Sequence, residues 1–62
     1  MFYEKLDRFM NETRMTNYRL AKLLNVHQTT IANWRTGKTE PKVQTVIKIA
    51  KAFNISVDDL LK

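Results

Sequence analysis

Apolar residues recur through most of the chain at helical spacings of three and four. Phe2, Leu6, Phe9 and Met10 predict a first helix over about residues 2–12. Thr16 is a favourable N-cap for a second helix ending near residue 24, with Leu20, Ala21, Leu23 and Leu24 as its apolar stripe. Asn25 follows the last periodic position and tolerates the left-handed conformation that stops a helix. A third helix begins near His27 or Gln28, carries Ile31 and Trp34 on its inner side, and ends before Gly37, the chain's one glycine. Pro41 precedes a fourth helix over about residues 43–53, where a proline's missing N–H costs nothing. Val43, Val46, Ile47, Ala50 and Phe53 are expected to form its buried stripe, with Ile49 at the margin. Asn54 closes that helix. Ser56 and Asp59 have capping-box spacing and open a short fifth helix, which returns Leu60 and Leu61 to the core. Strand-like alternation is absent, so the expected architecture is all-α, five short helices in one domain covering residues 1–62.

Composition narrows what such a domain does. The 62 residues leave no room for a second domain or an interdomain pocket, and no cysteine is present. A disulfide framework, a thiolate metal site and a cysteine nucleophile are thereby excluded. His27 is the only histidine, and without cysteine partners it makes a poor candidate for a metal ligand or a catalytic base. Asp58 and Asp59 are neighbours that face different directions on a helix and suit its N-terminus. The expectation is no enzymatic site, no cofactor, no metal and no small-molecule substrate. Apolar runs of two or three residues cannot span a membrane, and the N-terminus lacks the apolar core of a secretory signal, which predicts a cytoplasmic protein.

The net charge of +5 is concentrated in the middle of the chain. Residues 1–15 are balanced, and residues 52–62 carry one negative charge in excess. Residues 16–51 hold Arg19, Lys22, Arg35, Lys38, Lys42, Lys48 and Lys51 against Glu40 alone. A localised cationic excess points to a polyanionic partner. Lys22, Lys48 and Lys51 are expected on a solvated face away from that partner.

The second and third helices are joined by about three residues, Asn25-Val26-His27, too few for antiparallel packing with full contact. They must cross steeply, as in a helix-turn-helix, where the second member projects and can enter a major groove about 12 Å wide. With Ile31 and Trp34 turned inward, Gln28, Thr29, Ala32 and Asn33 point wholly or partly outward. Gln28 and Asn33 each offer a donor and an acceptor, the pairing that adenine N6 and N7 require. Thr29 has a hydroxyl and a methyl, and Ala32 keeps the face low. Arg35, Lys38 and Lys42 flank these neutral groups, a division that suits base contacts in the middle and phosphate contacts around them.

At this point the sequence resembles the lambda-repressor-like, or Cro/C1-type, helix-turn-helix proteins over residues 16–61. The resemblance is carried by Leu20-Ala21, Val26, Ile31, Trp34, Gly37-Lys38, Pro41, Thr45, Ile49-Ala50-Lys51 and Asn54-Ile55-Ser56-Val57-Asp58. It implies that Gln28, Thr29 and Asn33 read bases. It implies that Asn17 contacts a phosphate and braces the first reading residue, and that Lys38, Thr39 and Lys42 hold the DNA backbone. Tyr18 and His27, beside these positions, join the expected backbone set. The implied function is sequence-specific binding of double-stranded DNA by a transcriptional regulator, a repressor acting by operator occupancy, as a weak homodimer on an inverted repeat. A protein-interaction module on the same fold, of antitoxin or anti-repressor type, is the alternative, since fold does not fix function. The chain is read either as a complete small Cro-like protein or as the N-terminal domain of a longer repressor.

Four positions depart from the family pattern. Asn17 stands where glutamine is commonest, and His27 replaces a Ser or Thr cap. Arg14 takes a glycine position, so the turn after the first helix is expected to differ. Arg35 occupies the place of a glutamate whose usual arginine partner falls at Met10. Both halves of that ion pair are missing, and Arg35 is expected to be free to reach a phosphate.

Overall fold

A computed structural model describes residues 1–62. It contains α1 (Phe2–Thr13), α2 (Asn17–Leu24), α3 (Gln28–Thr36), α4 (Val43–Phe53) and α5 (Val57–Leu61). The principal contacts run α1 to α3, α3 to α2, α2 to α4, α4 to α5 and α5 back to α1. The helices therefore close into a ring, and every one of them contributes to the core. Leu6 and Met10 come from α1, Leu20 and Ala21 from α2, Ile31 and Trp34 from α3, Val46, Ile49 and Ala50 from α4, and Leu60 from α5. Phe9 and Phe53 extend this core at its edge with ring centroids 6.3 Å apart, within the range of favourable aromatic pairs.

One device ends the first four helices. Arg14, Asn25, Gly37 and Asn54 all take the left-handed conformation, with φ of 58°, 59°, 80° and 57°. In each case the next amide reaches back five residues: Met15 to the Met10 carbonyl, Val26 to Ala21, Lys38 to Asn33 and Ile55 to Ala50, at 2.9–3.0 Å. This satisfies carbonyls that the helix end would otherwise leave open. After α1, α2 and α4 the donating residue, Met15, Val26 or Ile55, is also packed against the core, so the chain is reversed and anchored in the same step. The turn after α1 thus keeps the usual helix-stop geometry, contrary to the expectation for Arg14, because an arginine backbone adopts the left-handed region at a modest cost of about 1–2 kcal/mol.

The helix starts follow from local chemistry as well. The Thr16 hydroxyl accepts from the Arg19 amide at 3.1 Å. Ser56 and Asp59 form the expected reciprocal box, at 3.1 and 3.3 Å. The periodic stripes are corrected in five places. Leu23, Val43, Ile47 and Leu61, expected in the core, are exposed, and Ile49, expected at a margin, is fully buried. A helix in this ring touches two neighbours over narrow contacts, so its buried face is tighter than a pattern of apolar residues suggests.

Gly37 has a second constraint. A Cβ at this position would stand 2.9 Å from Cδ1 of Tyr3, whose ring lies over the turn. Gly37→Ala should therefore lose at least about 1–2 kcal/mol, from the left-handed backbone and from the displaced ring. Arg14→Gly should gain about 0.5–1 kcal/mol, the relieved backbone strain less the greater entropy of an unfolded glycine. Urea unfolding of the two variants checks both signs. Equal effects would mean that backbone conformation is not what distinguishes these turns.

Candidate nucleic-acid interface

The nine residues of α3, QTTIANWRT, are poor helix formers in isolation, with Thr29, Thr30 and Ile31 β-branched in succession. Tertiary contacts must hold the element. Ile31 is fully buried and Trp34 nearly so, which turns one side of the helix to the core. Gln28 and Thr29 are exposed, and Ala32 and Asn33 are half-buried at the border. Nine residues at about 1.5 Å each make a rod of about 13 Å, matched to a major groove about 12 Å wide.

The three-residue connection to α2 is made by Asn25 in its left-handed turn, Val26 packed against the core, and His27 in an extended conformation as N-cap. His27 caps with its carbonyl, which accepts from Thr30 N at 3.0 Å, and its imidazole makes no cap bond. The amides of Gln28 and Thr29 have no backbone acceptor, and neither do those of Asn17 and Tyr18 at the start of α2. The N-termini of α2 and of α3 thus both carry open donors, which suits them to phosphate oxygens.

Several predicted residues are brought together. Tyr18, His27 and Gln28 line one shallow concavity with Lys22 and Asn25. Lys22 Nζ donates to the Tyr18 hydroxyl at 3.1 Å. Lys22 is exposed and lines the same concavity as Gln28, and its position four residues from Tyr18 is the sequence signal for the contact between those two side chains. At the other end of α3 the Lys38 and Thr39 amides both donate to the carbonyl of Asn33, at 2.9 and 3.4 Å. The start of the loop that carries Lys38 is thus tied through its backbone to Asn33. Lys42 is exposed at the N-cap of α4, with no hydrogen bond or ion pair to the others.

Arg35 requires a correction. It is not free: Nε donates to Asp7 Oδ1 at 2.7 Å, Nη1 to Asn17 Oδ1 at 2.9 Å, and Nη2 to Asn11 Oδ1 at 2.9 Å. Asn11 Nδ2 in turn donates to the other Asp7 oxygen at 3.3 Å. Its side chain keeps only 20% of its exposure, against 44% for Asp7. An ion pair between α1 and α3 is present after all, with the signs exchanged and its α1 member one turn before Met10, which is buried. Asn17 accordingly braces Arg35 and not Gln28. Asp7 and Asn11 lie outside the position, Met10, where the family pattern places a partner for this residue. An acid three residues earlier, on the same side of α1, was the available signal.

A projecting polar helix, docked by a short turn and bordered by cations and open helix N-termini, defines a helix-turn-helix domain. The helix-turn-helix family profile matches residues 6–60. The chain is 35% identical to the HTH-type transcriptional activator BcrR of Enterococcus faecalis over 60 residues, 97% of this chain and 29% of that protein. It is 32% identical over 56 residues to an uncharacterized HTH-type transcriptional regulator of Archaeoglobus fulgidus, covering 90% of this chain and 79% of that one. The crystal structure of a transcriptional regulator from Listeria innocua superposes with a TM-score of 0.91 at 37% identity, over 97% of this chain and 56% of that one. The chain thus spans under a third of BcrR and a little over half of the Listeria protein. It belongs to the helix-turn-helix family, of the Cro/C1 type, and the relatives named here are transcriptional regulators. No helix is long and apolar enough to cross a membrane.

The Asp7–Arg35 pair is half-exposed, where ion pairs contribute little alone, but three donors of one guanidinium are engaged. A double-mutant cycle of Asp7→Ala and Arg35→Ala should give a coupling of about 1 kcal/mol in thermal or urea unfolding. Additive losses would show that the Asp7–Arg35 pair itself contributes no coupling between the two helices.

Proposed function

We propose that this domain binds double-stranded DNA sequence-specifically with α3 in the major groove. Gln28, Thr29 and Asn33 contact base edges in this reading. Asn17, Tyr18, His27, Lys38, Thr39 and Lys42 meet the phosphates. The observation that carries it is the exposure of short, uncharged hydrogen-bonding side chains on a helix whose opposite side, Ile31 and Trp34, is sunk in the core. A groove-reading surface needs donors and acceptors without long cations in the way, and cations around it. The charge excess of residues 16–51 supplies the second part.

Two copies on an inverted repeat, with half-site centres one helical turn or about 34 Å apart, would match protein symmetry to operator symmetry. Occupancy of such an operator blocks transcription without any further contact, so repression is the regulatory outcome proposed.

The test is selection from a random duplex library at near-physiological salt, with wild type and Gln28→Ala side by side. The wild-type chain should enrich a short inverted repeat, and Gln28→Ala should lose about 1–3 kcal/mol and relax one or two base positions. Equal losses on specific and random DNA would remove Gln28 from the readers. If neither the chain nor a tandem-linked version enriches any sequence, the DNA reading fails and a protein partner takes its place.

Lys42→Ala separates the backbone contacts. It should weaken all sequences alike and lower the slope of log K against log salt by about one. A sequence-dependent loss at unchanged slope would contradict a phosphate contact.

A further inference from the structure

Asn17 is half-buried at the first position of α2, and only its carbonyl oxygen is engaged within the chain. The atom facing Arg35 must be that oxygen. A guanidinium has donors only, so the amide cannot be turned the other way without setting NH₂ against NH₂. The two Nδ2 hydrogens are therefore directed away from Arg35 and have no partner in the chain, and no buried polar side-chain atom is left unsatisfied. An unrestrained asparagine presents donor or acceptor with equal ease. This one is fixed as a donor, beside the open amides of Asn17 and Tyr18.

Arg35 is itself oriented from the far side. Asp7 and Asn11 accept from two of its nitrogens, and Asn11 bridges to the second Asp7 oxygen, so the guanidinium plane is set by α1 while its third engaged nitrogen reaches α2. Phosphate oxygens are acceptors only, so a fixed NH₂ is the form of the amide that binds them.

We propose that Arg35 is a positioning residue for DNA binding, acting through Asn17: the Asp7–Asn11–Arg35 cluster locks the Asn17 amide as a dedicated phosphate donor, and Arg35 does not meet the DNA. This rests on the DNA-binding reading above. It assigns a binding role to three residues of α1 and α3 that the groove-facing surface does not include. It also couples the docking of α1 to the backbone grip of α2.

The experiment uses Asp7→Asn/Arg35→Met, which removes one charge of each sign and leaves the net charge at +5. Affinity for the selected operator should fall about tenfold, the equivalent of one charge-assisted hydrogen bond, with an unchanged salt slope. Asn17→Ala should fall by a similar factor, and the combined triple variant no further than either. In the DNA-free protein, ¹⁵N relaxation of the Asn17 side-chain amide should show restricted motion in wild type and release in the pair variant, a change that general loosening of the fold would not confine to this group. Should the pair variant unfold, Arg35→Lys, which keeps the charge and loses the fork, makes the same comparison. Multiplying losses in the triple variant, a reduced slope on losing Arg35, or an equally mobile amide in both proteins would overturn the proposal. Wild type that binds no duplex overturns the DNA reading and this one with it. Wild type that binds and a pair variant that binds equally tightly overturns the positioning role alone.

Discussion

Everything functional in this domain depends on holding a short, intrinsically weak helix by one side. The α3 segment spans nine residues and has just two buried anchors, Ile31 and Trp34. Those anchors set its rotation, so they decide which polar residues remain outside. The ends of the helix need further contacts. These are supplied by Val26 in the turn before it, by the Gly37 stop after it, and by Arg35 bonded to α1 and α2 near its last turn. In the proposed DNA-reading role, α3 cannot use its outer face for stability, because that face must stay bare. The stabilising contacts are consequently displaced to its ends and to the one long cation that folds back.

The left-handed stops explain how five helices fit into 62 residues. Each reverses the chain at a single residue, satisfies the open carbonyls and, after α1, α2 and α4, drops the next side chain against the core. Connections of three residues therefore suffice between α1, α2 and α3. After Gly37 the chain behaves differently: Lys38 and Thr39 fold back on the Asn33 carbonyl, and the connection to α4 stays exposed and polar. The longest connection is also the one that carries Lys38, Thr39 and Lys42. A loop near a polyanion has no need of an apolar anchor.

Charge is arranged in two ways on one surface. Lys38 and Lys42 have no intramolecular partner, so they keep their full attraction for a polyanion. Arg35 is committed to Asp7, and its value is geometric. Counting cations near α3 would treat the three alike. Their bonding separates a long-range attraction, sensitive to salt, from a local orienting contact.

Much of this was legible in the chain before any coordinates. Helix boundaries followed from the period of apolar residues, and helix ends from Thr16, Asn25, Gly37, Asn54 and Ser56, because caps and left-handed stops depend on residues within one turn. The inward turn of Ile31 and Trp34, and hence the outward turn of Gln28 and Thr29, came from the same short-range geometry. Periodicity failed where the width of a buried face mattered. Leu23, Val43, Ile47 and Leu61 lie on or beside apolar stripes yet face solvent, while Ile49 lies at the centre of the core. Which part of a stripe is covered depends on the two neighbours each helix meets in the ring. The partner of Arg35 was likewise beyond the pattern, since Asp7 is 28 positions away. The helices, their stops and the polar face of α3 are properties of neighbours in the chain, and so could be read from residue order. What is covered and which charge is paired depend instead on how separate helices meet, which no stretch of neighbouring residues specifies.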